Sequence, residues 1–247
     1  MRWCSTVRWL ESIATHSEEG AATTTRGALA LLVSAVDNRA MEQPVDLRGL
    51  EHLAPSQTAI LLVDFQNDFC SPGVFHDSPV TNTQNAATAH RANDFASKAA
   101  VLGAHVIYSQ QILDLSKLTS RQRRRERPDG LCAVGSWGAE LFIQPVPGAH
   151  IVTKYRFDIW QSQDFTDLLD ALKVEGLVIG GVELCCCILY AVLGAEERGY
   201  DYLVAQDLVS GQDPGADTYN RAVREYLRIT HGAIDTAQSL LKLWADQ

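Results

Sequence analysis

The chain has 247 residues, 46% of them hydrophobic and 21% charged, with a net charge of −9. That length allows one large domain or two small ones with a full core. The acidic balance argues against nucleic-acid binding, which needs surplus Lys and Arg facing phosphates. No apolar stretch reaches the ~20 residues of a membrane span; the best, Gly27 to Val36, is half that length and follows Glu11, Glu18 and Glu19, unlike the basic start of a signal peptide.

Residues 1–40 mix small and polar residues and show no strand–helix alternation. They are expected to be an extension, disordered or not native, with the domain proper spanning 41–247 and a chain beginning at Met41 able to fold. From there the pattern alternates. The first run, Ala59 to Val63, is unbroken and apolar, as in a strand buried on both faces, and it ends on Asp64. Further strands are predicted at His105–Ser109, His150–Lys154, Leu177–Gly181, Tyr202–Gln206 and Ala233–Asp235. Helical patterns cover Asn82–Leu102, Phe165–Leu172, Cys187–Arg198, Asp217–Leu227 and Thr236–Trp244, with Gly199 as a C-cap. Such alternation implies right-handed crossovers. The fold class is α/β, a three-layer α/β/α sandwich around a mostly parallel, Rossmann-like six-stranded sheet. Gln111 to Gly148 is too long for a plain connection and is expected to belong to the site or its lid. Within it lies the run Arg121, Arg123, Arg124, Arg125 and Arg127, read as a solvated loop in preference to an anion or subunit contact.

Three reactive side chains fall at the carboxyl ends of different predicted strands, where ligands of open α/β sheets bind: Asp64, Lys154 and the cluster Cys185, Cys186, Cys187. A thiol at a helix start feels the helix dipole and free N–H groups. A carboxylate nearby can take and return its proton, and a buried lysine offsets the negative charge. Each residue alone has a plainer reading: a turn cap for the Asp, a surface residue for the Lys, a small hydrophobe for the Cys. Their shared position favours chemistry. The six Cys include no spaced CxxC pairs, and contiguous Cys suit neither a disulfide framework nor a tetrahedral metal, so a reducing cytoplasm is expected.

The segments Leu62-Val63-Asp64-Phe65-Gln66-Asn67-Asp68-Phe69, Gly135-Ser136-Trp137-Gly138-Ala139-Glu140-Leu141 and Val152-Thr153-Lys154-Tyr155-Arg156-Phe157, with Gly181-Val182 followed by Cys187, resemble the isochorismatase-like cysteine hydrolase superfamily over residues 55–245. The resemblance implies Asp64 as general base and acid, Lys154 as third triad member and Cys187, six residues after Gly181, as nucleophile. It also implies a cis peptide at Val182–Glu183, with an oxyanion hole formed by the Glu183 and Cys187 N–H groups. Two departures stand out. Leu184 and Cys185 replace the Thr and the acidic or amide residue often found there, and Ser109 to Leu113 lacks the His ligands of the nicotinamidase branch. No catalytic metal and no cofactor are therefore expected, and turnover should survive a chelator.

Retention of the thiol points to a hydrolase of carbon–nitrogen bonds other than peptide bonds, acting on a small-molecule amide, ureide or lactam through a thioester. A vinyl ether hydrolase of isochorismatase type and a catalytically silent binding subunit remain as alternatives. Phe69, Trp137, Phe157 and Trp160 are candidates for the substrate pocket wall. The expected partner is the small-molecule substrate, with no nucleic acid and no membrane, and the expected assembly is a homo-oligomer, a dimer or tetramer.

Overall fold

A computed structural model describes residues 49–72, 83–209, 216–231 and 234–246. The expectation for residues 1–40 lies outside them. Among the described residues six strands form one sheet: β1 (Thr58–Val63), β2 (His105–Gln111), β3 (His150–Lys154), β4 (Gly176–Gly181), β5 (Asp201–Val209) and β6 (Ile234–Asp235). Their order is β3-β2-β1-β4-β5-β6, and every pairing is parallel. The sheet is thus wholly parallel where a mostly parallel one was expected. The order reverses between β1 and β4, which makes a switch-point crevice at their carboxyl ends.

Alternation along β1 explains the three layers, because successive side chains of a strand point to opposite faces. Ile60 and Leu62 join a core with Ala92, Phe95, Ala96, Leu240 and Trp244. These come from α1 (Thr83–Val101) and α5 (Ala237–Ala245). Ala59, Leu61 and Val63 join the opposite core with Phe165, Leu169, Ala191, Val192 and Leu227, from α2 (Gln163–Leu172), α3 (Leu189–Glu196) and α4 (Ala216–Thr230). All six residues of β1 and of β4 are buried, as a sheet covered on both faces requires.

Two local differences from expectation matter. The helix anticipated from Cys187 is preceded by one π-helical turn, Leu184–Ile188, and becomes regular only at Leu189. β2 runs two residues beyond Ser109, to Gln111. Gly199 adopts φ 74° and its N–H donates to the Glu196 carbonyl, the expected C-cap. Among the described residues no helix is long and apolar enough to cross a membrane.

Candidate active site

The end of β1 turns sharply: Asp64 has φ 57°, the left-handed region that non-glycine residues seldom adopt. The turn places the carboxylate inside the protein. Ser109, at the end of β2, receives it twice: its Oγ donates to Asp64 Oδ1 at 2.7 Å and accepts from the Asp64 N–H at 3.2 Å. Lys154, the last residue of β3, lies 2.7 Å from Asp64 Oδ2, and both side chains are 1% exposed. The same ammonium is 3.4 Å from Cys187 Sγ. Its remaining contacts are Gln111 Oε1 at 3.4 Å and the Arg156 carbonyl at 3.2 Å.

Asp64, Lys154 and Cys187 therefore converge, with Lys154 between the other two. Four strand ends contribute, because β3, β2, β1 and β4 are adjacent in the sheet. The approach of β4 to β1 depends on Gly181. Its φ is 133°, and a Cβ there would stand 2.2 Å from the Val63 carbonyl oxygen. Val182 then donates to that oxygen at 3.0 Å, and the Val182–Glu183 peptide is cis. The Cys185 N–H is accepted by Asn220 Oδ1 of α4 at 3.1 Å, which ties the π turn to the helix behind it.

The electrostatics follow from burial and charge. Burial lowers the Lys154 pKa, but Asp64 and Cys187 more than offset this and hold it above the ordinary lysine value. A hydrogen bond with Cys186, then burial, pushes the Cys187 thiol well above its usual range; the Lys154 ammonium pulls the other way and Asp64 adds to the rise. Burial, with Glu183 and Cys186 beside it, raises Cys185 to about 12. Cys70 and Cys132 are fully buried, and burial raises both thiols.

Residues 112–148 are strapped to the segment after Asp64. Gln66 Nε2 donates to the Gln111 and Ala139 carbonyls at 2.9 and 2.7 Å, and Gln66 Oε1 accepts from the Gln111 N–H at 2.8 Å. Asp68 accepts from the Cys132 N–H at 2.6 Å, and Asn67 Nδ2 donates to the Trp137 carbonyl at 2.8 Å. The five arginines of the run are exposed, and Arg127 pairs with Asp129 at 2.8 Å.

The four wall candidates separate. Trp137 is half-exposed on the strapped segment. Phe157 is half-buried and its ring centroid is 6.2 Å from that of Tyr190, three residues beyond Cys187. Phe69 is buried in the core with Phe65 and Ile143. Trp160 lies in the opposite core, edge-on to Phe165 at 5.0 Å, with Nε1 donating to the Ala191 carbonyl at 2.9 Å; packing accounts for it. Sequence reasoning passed over Ser109 and Gln111, which close β2 beside β1. Among the described residues no cluster of three or more His, Cys, Asp or Glu is placed to hold a metal ion.

The Isochorismatase domain family matches residues 58–237, nearly the whole of this sheet and its helices. The chain belongs to the isochorismatase family. A curated relative, the ureidoacrylate amidohydrolase RutB of Azorhizobium caulinodans, is 28% identical over 155 residues, covering 55% of this chain and 68% of the relative. The cysteine hydrolase from Pseudomonas syringae pv. phaseolicola superposes with a TM-score of 0.69 at 18% identity, covering 83% and 96% of the two chains. The N-carbamoylsarcosine amidase from Thermoplasma acidophilum does so with 0.59 at 18% identity, covering 73% and 96%. At those identities the two structures show a shared fold and nothing finer.

Proposed function

We propose that this isochorismatase-family protein hydrolyses a C–N bond of a small amide, ureide or lactam, with Cys187 as nucleophile. The observation that carries the reading is the buried chain Asp64–Lys154–Cys187, at 2.7 Å and 3.4 Å. The ureidoacrylate amidohydrolase relative adds to it.

In this reading the thiol, kept protonated at rest by its surroundings, passes its proton to Asp64 as Sγ attacks the substrate carbonyl. Lys154 remains an ammonium throughout and compensates the negative charge that moves between sulfur and carboxylate. The oxyanion rests on the Glu183 and Cys187 N–H groups. Asp64 returns the proton to the departing nitrogen, the C–N bond breaks, and a thioester remains. A water, deprotonated by Asp64, attacks the thioester; the acid leaves and the thiol regains its proton.

Ammonia or amine release across a panel of small amides and ureides tests this. Turnover of at least one member should fall by ~10³ or more in Cys187→Ala, while Cys185→Ala and Cys186→Ala keep most of it. Wild-type turnover in Cys187→Ala overturns the assignment.

A further inference from the structure

One charged pair at the site has no part in that chemistry. Arg156 lies two residues past Lys154, and its carbonyl accepts from Lys154 Nζ at 3.2 Å. Its guanidinium carbon stands 5.1 Å from the Phe157 ring centroid, and Phe157 in turn meets Tyr190, on the helix that follows Cys187. From the strapped segment, Glu126 Oε1 reaches Arg156 Nη1 at 2.7 Å; the arginine side chain is 35% exposed and the glutamate 16%.

The pairing uses one tooth of the guanidinium. Among the described residues, Arg156 Nε and Nη2 have no hydrogen-bond acceptor. That open edge has two parallel N–H donors, the geometry that a carboxylate satisfies with both oxygens and a neutral amide cannot. The segment that supplies Glu126 also carries exposed Arg121, Arg123, Arg124 and Arg125, a run of positive charge on a chain of net charge −9. Such a run attracts small anions.

We propose that Arg156 is the substrate-recognition residue, binding a carboxylate through Nε and Nη2 while Glu126 occupies Nη1. The substrate class is then an amido or ureido acid. The class rests on the hydrolase reading; the anion site does not.

The test compares alkylation of Cys187 by iodoacetate and by iodoacetamide in the intact protein, read by mass spectrometry of the Cys187 peptide. The reagents share one reaction: the thiolate sulfur bonds to the CH₂ carbon, iodide leaves, and the thiol proton goes to buffer. They differ in carboxylate against carboxamide. Relative to a free thiol in the same buffer, the protein should favour iodoacetate about 10-fold, an ordinary size for one charge-assisted contact. Arg156→Gln should bring the ratio back to that of the free thiol, and Arg156→Lys should restore part of it. Glu126→Gln, which leaves the arginine in place, should raise it. A ratio unchanged by both Arg156→Gln and Glu126→Gln overturns the proposal. Because neither reagent is hydrolysed, an Arg156-dependent ratio in a protein without amide turnover would keep the anion site and sink the hydrolase reading.

Discussion

Ser109 Oγ donates to Asp64 Oδ1 at 2.7 Å, while Lys154 takes the other oxygen of the same carboxylate. The carboxylate is thus fixed at both ends by neighbouring strands β2 and β3, and its orientation toward the sulfur is set before substrate arrives. Ser109→Ala removes the fixed donor and leaves Oδ1 without its partner. Loss of a hydrogen bond to a charged group costs about 1.5–3 kcal/mol, so kcat should fall ~10- to 100-fold with KM little changed. A fall in substrate affinity alone would assign Ser109 to binding instead.

Lys154 and Asp64 depend on each other. Removing one partner of a buried pair strands a charge and costs ~3–5 kcal/mol. Lys154→Met and Asp64→Asn should each lower the urea midpoint strongly. The double variant should recover a large part of the stability and none of the turnover. Additive losses in the double variant would show that the two groups are not coupled.

How far the site could be read from sequence depends on what local pattern encodes. The meeting of Asp64, Lys154 and the Cys185–Cys187 cluster was legible because each ends or follows an apolar run, a local signal, whereas the choice of Cys187 within the cluster rested on the family resemblance. Ser109 and Gln111 were not, because their importance comes from β2 lying beside β1, a fact of topology and register. The left-handed turn at Asp64 gave no signal either; glycine would have announced it, and here tertiary contacts hold an aspartate in that conformation. Trp160 is one of the pocket-wall candidates named from the sequence. A short 3-10 turn, Ile159–Gln161, instead aims it at the helical layer, where Gly194 lies against its ring.

Trp160→Ala therefore tests packing against pocket. Emptying that core position should cost about 3–5 kcal/mol, read as a lower urea midpoint. KM of the protein that remains folded should stay near wild type. A raised KM with unchanged stability would return Trp160 to the substrate wall.

Gly181→Ala probes the approach of β4 to β1. A Cβ at that position would meet the Val63 backbone oxygen at 2.2 Å, on a residue whose φ is 133°. A strained conformation of this kind costs about 1–3 kcal/mol before the clash is counted, and backbone, unlike a flexible side chain, cannot swing aside. The π turn that presents Cys187 follows directly, so activity should drop more steeply than stability. Full activity in this variant would show that the strands can part without moving the sulfur.

The alkaline limb of stability carries the signature of the two buried bases. Both Cys187 and Lys154 have folded-state pKa values above their ordinary ones, 9.0 and 10.5. A raised pKa means that the folded protein holds more protons than the unfolded chain above the ordinary value. The contribution is fully present below that value and is lost as pH rises toward the folded one. Urea midpoints should therefore stay level, as far as these two groups are concerned, from neutral pH to about 9. Above it they should fall in two stages, the first from Cys187 and the second, above about 10.5, from Lys154. Cys187→Ala should shrink the first stage, to which the buried Cys70, Cys132 and Cys185 thiols also contribute, and leave the second. A wild-type curve that rises between pH 9 and 10 would mean that the folded protein holds the thiolate more readily than the unfolded chain, the opposite of a thiol that keeps its proton until substrate binds.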